Sequence, residues 1–197
     1  MSDHLIVLIA GRQVLIDTAD IAYLSARRWH IMTGKYPYVV SRNNTAGRTL
    51  LLHRLIMNAP EQLQVDHLNH NVLDNRRQNL RLVTLQQNGQ NLLLQRSSTT
   101  GYRGVCYATG IQRYIVSVGC SGRSAAFGSY ASAEEADRVA CLARSVLQSG
   151  SMEAMGLSDS ERQVRARSLL SRLASLKQTG RRGWVVQHLQ TIAKSDV

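Results

Sequence analysis

Cysteines, aromatic residues and long apolar segments are all scarce in this sequence, and each scarcity excludes a class of protein. The three cysteines, Cys106, Cys120 and Cys141, form no C-x-x-C pair, so we expect no structural zinc site. The longest apolar run, from Leu5 to Ala10, is far too short to cross a bilayer, and no leader with a cleavage site opens the chain. We therefore expect no membrane partner, a cytoplasmic location and no lone disulfide.

Acidic residues are also in the minority, which points to a polyanionic partner. The 197-residue chain has 24 Lys and Arg against 13 Asp and Glu, for a net charge of +11. Arginine greatly outnumbers lysine, and its planar guanidinium suits phosphates and guanine edges. Because only 5% of the residues are aromatic, an RNA-binding or ribosome-associated protein is a poorer fit. Double-stranded DNA is the expected partner.

The hydrophobic pattern predicts an α+β protein with four consecutive parts. Residues 1–58 are predicted to be a β-rich segment. In chain order its elements are strands 7–9 and 14–16 around Gly11-Arg12, a helical turn near 20–24, strands 36–40 and 49–52 around a turn at 43–47, and a helix at 53–57.

Residues 59–95 are predicted to run strand, loop, strand, helix. The strands are residues 63–66 and 79–83, and a polar loop joins them. Thr84 followed by Gln87 is a capping box, which predicts a helix that starts there and continues to residue 94.

Residues 96–150 are predicted to form a three-stranded antiparallel sheet and a helix. The strands are residues 102–108, 113–119 and 123–127, and Ser132 with Glu135 opens the helix. Its apolar residues recur at helical spacing and should pack on the sheet. Residues 151–197 read as a basic helical extension, opened by a third capping box at Ser158 and Glu161.

The strand-loop-strand-helix part brings four polar residues together at its ends. Asp66 and His67 end the first strand, Asn79 begins the second, and Asn88 lies early in the helix. Asp66 and Asn88 are oxygen ligands that suit Mg²⁺ or Mn²⁺. A neutral His67 can accept a proton from an attacking water, and the Asn79 side chain can fix its tautomer. Adjacent strand residues point to opposite faces, so the strand has to end or twist at His67.

Other polar residues nearby have simpler interpretations. His53 fits a packed or capping residue, although a catalytic role is possible in principle, and His70 fits a solvated loop position near phosphate. Residues 74–77 suit turn formation and phosphate contact, through Arg76 and Arg77, better than a second metal site. Arg81 is a further expected phosphate contact.

The motif Asp66-His67, Asn79, Asn88 resembles the H-N-N form of the HNH nuclease motif found in phage and group I intron homing endonucleases. Upstream, residues 52–57 are similar to the segment that precedes this motif in those proteins. Downstream, residues 101–105 and 127–130 resemble the Apetala-type (ethylene-response-factor) DNA-binding domain often fused to such nucleases. The resemblance implies a ββα-metal nuclease in a bacterium or phage-infected cell, with His67 as base, Asp66 and Asn88 as ligands and Asn79 orienting the base.

The downstream part departs from the plant members of the Apetala-type family. Tyr114 stands where tryptophan is usual, and Cys106, Ala108, Ser124 and Ala126 occupy DNA-facing positions that carry Arg or Trp there. Arg103 matches a contact position. Arg113 and Arg123 are expected to touch phosphates, which predicts sequence-tolerant binding that weakens with salt.

These observations favour a metal-dependent DNA endonuclease of the homing type, acting as a monomer or homodimer. A monomer with one site is expected to nick, because each encounter cuts one strand. The resemblance implies 3′-hydroxyl and 5′-phosphate ends. The alternative is a non-catalytic DNA-binding regulator that keeps the same scaffold.

Overall fold

The computed structural model describes residues 3–42, 47–91, 98–176 and 183–195. The chain divides into an N-terminal unit, Met1–Asn88, and a C-terminal unit, Gly89–Val197. Both combine helices with small antiparallel sheets, which agrees with the α+β class predicted from the sequence. No helix in the described ranges has the length and hydrophobicity needed to cross a membrane.

The described residues of the N-terminal unit form seven strands and three short helices. Its strands are β1 (His4–Ile9), β2 (Arg12–Asp17), β3 (His30–Ile31), β4 (Val39–Arg42), β5 (Thr49–Leu51), β6 (Gln64–His67) and β7 (Leu80–Val83). Its helices are α1 (Ile21–Ser25), α2 (Leu52–Ile56) and α3 (Leu85–Asn88). Short 3₁₀ turns cover Thr18–Asp20 and Arg77–Asn79.

The first predicted hairpin is confirmed as β1 and β2. The strands pair antiparallel, with Val7 opposite Val14, and the turn residues Ala10 and Gly11 have φ angles of 48° and 77°. Positive φ at both central residues is the geometry that a two-residue hairpin needs, and glycine adopts it without steric cost.

The second hairpin is confirmed where β4 pairs with β5. Residues 43–46 of its predicted turn lie outside the described residues. The structure adds a strand that we did not predict, β3, which pairs with β4 on its other edge. Two residues are too few to show an alternating pattern in the sequence.

The strand-loop-strand-helix prediction is confirmed in its order but not in the length of its helix. β6 and β7 pair antiparallel, and the capping box holds: the Thr84 N–H donates to Gln87 Oε1 at 3.0 Å, and the Gln87 N–H donates to Thr84 Oγ1 at 3.2 Å. The predicted continuation to residue 94 is wrong for the described part, because α3 ends at Asn88. Gly89 follows, and glycine disfavours helix continuation. Residues 92–94 lie outside the described residues.

A small apolar core supports the N-terminal unit. It joins β1 and β2 to α2 and to the β6–β7 hairpin, through Val14, Ile16, Leu52, Ile56, Val65 and Leu80 among others. Loop residues 73–75 are tied to β2, because the Leu15 N–H donates to Leu73 O at 2.9 Å and the Asn75 N–H donates to Leu15 O at 2.8 Å. The loop between β6 and β7 is therefore fixed to the rest of this unit.

In the C-terminal unit the described residues form one sheet and three long helices. The strands β8 (Val105–Ala108), β9 (Arg113–Cys120) and β10 (Arg123–Tyr130) form an antiparallel sheet with β9 in the centre. The helices are α4 (Ala133–Leu147), α5 (Asp159–Ser175) and α6 (Gly183–Lys194), and a 3₁₀ turn covers Met152–Ala154. The predicted three strands and following helix are confirmed.

The helices α5 and α6 share one apolar core with the sheet and α4. Val116, Phe127, Val139, Leu169 and Leu189 are all nearly or fully inaccessible within it. Arg162 of α5 also donates from Nε and Nη2 to Val146 O, at 3.0 and 2.7 Å, near the C-terminal end of α4. The helices α5 and α6 are thus structural partners of the sheet, and the charge of Arg162 is used to cap another helix.

The two capping boxes predicted in this unit form to different extents. At α5 both halves of the capping box form between Ser158 and Glu161. At α4 the Ser132 hydroxyl accepts from the Glu135 N–H at 3.1 Å, which is the half that satisfies a helix N–H.

Candidate functional site

The β6–β7 hairpin positions the polar residues singled out in the sequence. Asp66 lies opposite Arg81, and His67 lies opposite Leu80. His67 is the last residue of β6, and the chain turns at once, with the His70 N–H donating to His67 O at 3.0 Å. His70 has a φ of 61° in this turn. The strand thus ends where the proposed site requires it to end.

Asn79 closes the loop that joins the two strands. Its Oδ1 accepts from the Asn69 N–H at 3.0 Å, and its Nδ2 donates to Asp74 O at 2.8 Å. The Leu68 N–H also donates to Asn79 O at 2.9 Å. These bonds go to loop backbone, so Asn79 holds the shape of the loop rather than showing the predicted bond to the His67 ring.

A second tie in the loop is Asp74, which is 1% exposed. It accepts from Asn69 Nδ2 at 2.9 Å and from Arg76 Nε and Nη2 at 2.8 and 2.7 Å. Burial alone would raise the pKa of Asp74, but the hydrogen bonds and charge of Arg76 outweigh it and lower that pKa below its usual range. The loop is built around a charged carboxylate.

The His67 ring lies in an aromatic cluster on the core side of the hairpin. His67 is 4% exposed, its ring centroid is 6.1 Å from that of Tyr38, and it is 5.1 Å from that of His53. Tyr38 and His53 are themselves 5.0 Å apart. Tyr38 comes from the residue just before β4 and His53 from α2, so three separate segments build the cluster.

Both histidines of this cluster are kept neutral. Burial, with the neighbouring His67 and Arg54, lowers the pKa of His53 to about 3. Burial also lowers the pKa of His67, although Asn75, Asp66 and Asp74 oppose that shift by favouring the charged ring. A neutral imidazole has a bare nitrogen that accepts protons, which a general base needs.

Asp66 and Asn88 lie on the other face of the hairpin. Residues 64 and 66 share a face of β6, because side chains alternate along a strand, and Asn88 Nδ2 donates to Gln64 Oε1. Asn88 of α3 is therefore on the same side as Asp66. Asp66 Oδ2 accepts from Arg81 Nε and Nη2 at 3.0 and 2.7 Å, so the carboxylate, 8% exposed, has a cationic partner.

The donor chemistry of this face fits a hard divalent cation. A carboxylate and an amide oxygen are ligands that Mg²⁺ accepts, together with several waters. Among the described residues there is no group of three or more His, Cys, Asp or Glu side chains placed to hold a metal. The metal ligands predicted from the sequence are one carboxylate, Asp66, and one amide, Asn88, so they do not form a group of that type.

The arginines predicted to contact DNA fall into two groups. In the N-terminal unit they pair with carboxylates: Arg76 with Asp74, Arg81 with Asp66, and Arg77 with Asp20 at 2.8 and 2.7 Å. In the C-terminal unit Arg103 is half-buried and donates to Gln90 O at 3.0 Å. Arg113 is exposed and donates to Ser129 O at 3.0 Å, and Arg123 is exposed on β10.

Two residues of the site had no assigned role in our sequence interpretation. Tyr38 lies beside the His67 ring, and Asn75 is fully buried in the loop between β6 and β7. Tyr38 is distant from His67 in sequence and belongs to no recognisable motif, so only tertiary packing brings the two rings together. Asn75 sits in a run of turn-forming residues, where an asparagine is explained by turn chemistry alone.

Comparison with known families identifies part of this region. The model of the HNH endonuclease family matches residues 51–90, the stretch that contains α2, the β6–β7 hairpin and α3. This match supports a nuclease, with DNA as its implied substrate. No curated protein and no solved structure matches the chain, and residues 91–197 lie outside the family match.

Proposed function

We propose that this chain is a homing-type DNA endonuclease that hydrolyses phosphodiester bonds with one divalent metal ion. The observation that carries the proposal is the β6–β7–α3 arrangement. In it β6 ends at neutral His67, and Asn88 Nδ2 donates to Gln64 Oε1, on the face of β6 that also carries Asp66. The HNH endonuclease family match to the same residues supports it.

Asp66 and Asn88 are the proposed ligands of Mg²⁺ or Mn²⁺. When bound, such an ion neutralises charge on the scissile phosphate and stabilises the leaving oxygen. Arg81 already lies against Asp66 Oδ2, so the guanidinium balances the buried carboxylate when no cation is there. Arg81 is then also placed near the phosphate, where a planar guanidinium binds oxygen pairs.

His67 is the proposed base that takes the proton from the attacking water. Its Nε2 is buried and has no hydrogen-bond partner within the described residues, so no internal group competes for it. Nε2 has to meet water in the complex with DNA. Asn79 contributes by fixing the loop that follows His67, through its two bonds to loop backbone.

The C-terminal unit is the proposed DNA-holding part, as an Apetala-type domain. Its three-stranded sheet with a packed helix has the expected order of elements. Arg113 and Arg123 are exposed and are assigned to phosphate contact, together with Arg76 and Arg77 of the N-terminal unit. Arg103 is assigned to holding Gln90 within the C-terminal unit. The protein acts in the cytoplasm of a bacterium or phage-infected cell, and a monomer nicks one strand per encounter.

The first test is cleavage of supercoiled plasmid by wild type and by His67→Ala. In Mg²⁺ or Mn²⁺ the wild type should relax the plasmid, and His67→Ala should be slower by about 10²–10⁴-fold, the usual contribution of general-base catalysis. Chelator should abolish cutting by the wild type. The matched control is His188→Ala, because His188 is an exposed histidine on α6, and this variant should cut like wild type.

Two outcomes would contradict the proposal. Equal cutting by wild type and His67→Ala would mean that His67 is not the base. Tight duplex binding without cutting, on plasmid and on a broad genomic DNA pool, would favour the regulator instead.

A further inference from the structure

The connection between β3 and β4, residues 32–38, is mostly exposed but has a fixed backbone. The Met32 N–H donates to Tyr38 O at 2.9 Å, which closes the connection where it joins the sheet. Within it, the Tyr38 N–H donates to Tyr36 O at 2.9 Å. Gly34 has a φ of 126°, a conformation that favours glycine. The side chains of this connection are therefore presented from a backbone of defined shape.

Three aromatic rings lead from this connection to the proposed catalytic base. The ring centroids of Tyr36 and Tyr38 are 6.2 Å apart, with planes inclined by 29°. Those of Tyr38 and His67 are 6.1 Å apart, with planes inclined by 33°, and both spacings suit offset aromatic pairs. Tyr36 is 53% exposed, Tyr38 is half-buried and His67 is buried. The exposed ring thus lies no more than two ring spacings from the base.

The ammonium group of Lys35 is held over the exposed ring of this series. Lys35 Nζ lies 5.1 Å from the Tyr36 ring centroid, within the distance at which a cation is attracted to an aromatic face. A free lysine side chain loses much rotamer freedom when a ligand fixes it. Because Tyr36 already restrains this lysine, an anion that binds it meets a smaller entropy cost.

Lys35 differs from the arginines of the β6–β7 hairpin because no carboxylate neutralises it. Arg76 and Arg81 each form an ion pair with a buried carboxylate at 2.7 Å. Among the residues that the structure describes, no carboxylate forms an ion pair with Lys35. Lys35 is also the only lysine in residues 1–88 of the sequence. An exposed cation without a counter-charge therefore stands near the proposed base.

We propose that Lys35 binds a DNA backbone phosphate within a few nucleotides of the scissile bond. Tyr36 is the positioning residue that keeps the ammonium in place, and Tyr38 fixes its distance from His67. Phosphates of one strand follow each other at about 3.4 Å along the duplex axis, so two ring spacings correspond to a few nucleotides. This inference rests on the proposed nuclease function for the identity of the ligand.

A lysine on an aromatic support suits a phosphate better than a base edge. The ammonium has three donors, no acceptor and no fixed fork, so it binds an anion without distinguishing one base pair from another. Phosphate contacts of this kind position the protein on the duplex. Each one releases counterions from the DNA, which makes its contribution measurable through the salt dependence of binding.

The decisive experiment measures binding of the full chain to a short fluorescent duplex of mixed sequence at several salt concentrations. Chelator is present throughout, so that no strand is cut. The slope of log K against log salt reports the number of phosphate contacts. Lys35→Gln should reduce the magnitude of this slope by about 0.9, the value for one contact to B-DNA. Lys35→Arg keeps the cation and should keep the wild-type slope.

The matched control is Arg48→Gln, which removes the same amount of charge from the same unit. The Arg48 side chain is 80% exposed. It precedes β5, whose first residue pairs with Arg42, at the opposite end of β4 from Tyr38. Arg48→Gln should therefore keep the wild-type slope. An unchanged slope in Lys35→Gln, or an equal change in both variants, would overturn the proposal.

Variants of Tyr36 test the positioning role. Tyr36→Leu keeps the lysine but removes its support, so binding should weaken by about 2–5-fold, as expected for an exposed cation–π contact, with the slope retained. Tyr36→Phe keeps the aromatic face and should bind like wild type. If Tyr36→Leu weakened binding while Lys35→Gln did not, a base stacked on Tyr36 would replace the proposed phosphate contact.

Cleavage kinetics separate this inference from the proposed function. Lys35→Gln should raise KM with kcat close to that of wild type, because the contact is made equally before and during the reaction. If wild type cuts no DNA, the nuclease proposal fails, but the salt slope still decides whether Lys35 binds phosphate. If wild type cuts and Lys35→Gln has an unchanged slope and KM, the nuclease stands and the role of Lys35 is overturned.

Discussion

The two units of this chain bury very different kinds of side chain. Among the described residues, the buried polar ones of the N-terminal unit are Asp20, Ser41, His53, Asp66, His67, Asp74, Asn75 and Asn79. Those of the C-terminal unit are Asn91, Arg144, Ser145 and Ser151, set beside a larger apolar core of sheet and helices. Most of the polar burial in the first unit lies on the β6–β7 hairpin and its loop.

This contrast implies that the two units are stabilised by different interactions. A buried polar group stabilises a fold only when its partners are present, and the hairpin contains unsatisfied atoms on His67 and Asn75. The C-terminal unit gains its stability mainly from apolar area removed from water. The two units should therefore respond to different perturbations.

Each unit contains one tryptophan, which allows the contrast to be measured. Trp29 packs against the core of the N-terminal unit and Trp184 against that of the C-terminal unit. Trp184→Phe leaves a fluorescence reporter in the first unit, and Trp29→Phe leaves one in the second. Urea unfolding of these two backgrounds reads each unit by itself.

The largest effect is expected from Phe127→Ala. Phe127 is 1% exposed in the core beneath α4, and removing a buried phenylalanine ring costs about 3–5 kcal/mol. The Trp184 reporter should show this loss in urea unfolding, while the Trp29 reporter should change much less.

The control for this prediction is Ile111→Ala. Ile111 is 57% exposed in the β8–β9 connection, so its truncation should change unfolding by less than about 0.5 kcal/mol. An equal loss at both tryptophans would show that the two units unfold together and would break the comparison.

Acidification should weaken the N-terminal unit selectively. The pKa of His53 is about 3 in the folded protein, against 6.5 when unfolded, so the unfolded chain binds the proton between those values. Stability is complete above pH 6.5 and falls as pH drops toward 3, by up to about 1.4 kcal/mol per pH unit. The lowered pKa of His67 acts in the same direction.

Unfolding midpoints at pH 7.5 and 5.5 test this sign. The N-terminal unit, followed by Trp29 fluorescence, should be less stable at the lower pH. The His53→Phe variant keeps a ring without the titrating group, so its stability should fall less. The unfolding midpoint reported by Trp184 should change less, because the buried histidines His53 and His67 lie in the N-terminal unit. A larger acid effect at Trp184 than at Trp29 would contradict the assignment.

The smallest effects are expected at the helix caps. Thr84→Ala removes the cap of the one-turn helix α3, and Ser132→Ala removes the cap of the fifteen-residue helix α4. Each should cost about 1 kcal/mol. Because α3 has a single turn, Thr84→Ala should also raise amide hydrogen exchange around Asn88, whereas α4 should stay protected by its packing.

Thr84→Ser serves as the control, since it keeps the hydroxyl that accepts from Gln87. If Thr84→Ala left exchange at Asn88 unchanged, packing rather than the cap would be holding α3 in place.

Local signals in the sequence were good guides to the elements of the fold. Gly11 marks the first hairpin because positive φ is needed there. The pairs Thr84 and Gln87, and Ser158 and Glu161, mark helix starts because their bonds are made within one turn. The same local reasoning misplaced the end of α3, which lies at Asn88, directly before Gly89.

Partners distant in sequence could not be predicted in this way. The sequence did not predict the bidentate pair that Arg77 forms with Asp20, 57 residues away, and its contact with phosphate stays a prediction. Tyr38 joins the His67 ring through packing across three segments. The roles of Asp66, His67, Asn79 and Asn88 in metal binding and catalysis remain predictions that the plasmid experiment tests.

By itself, the sequence determined the order of strands and helices and the motif that carries Asp66, His67, Asn79 and Asn88. These depend on spacing and on bonds between neighbours, which are written in the chain. Only the tertiary structure decided which side chains are buried together: Arg81 with Asp66, and His53 and Tyr38 with His67. The physical reason is that burial and charge pairing depend on contacts between distant segments, and these exist only after the chain has folded.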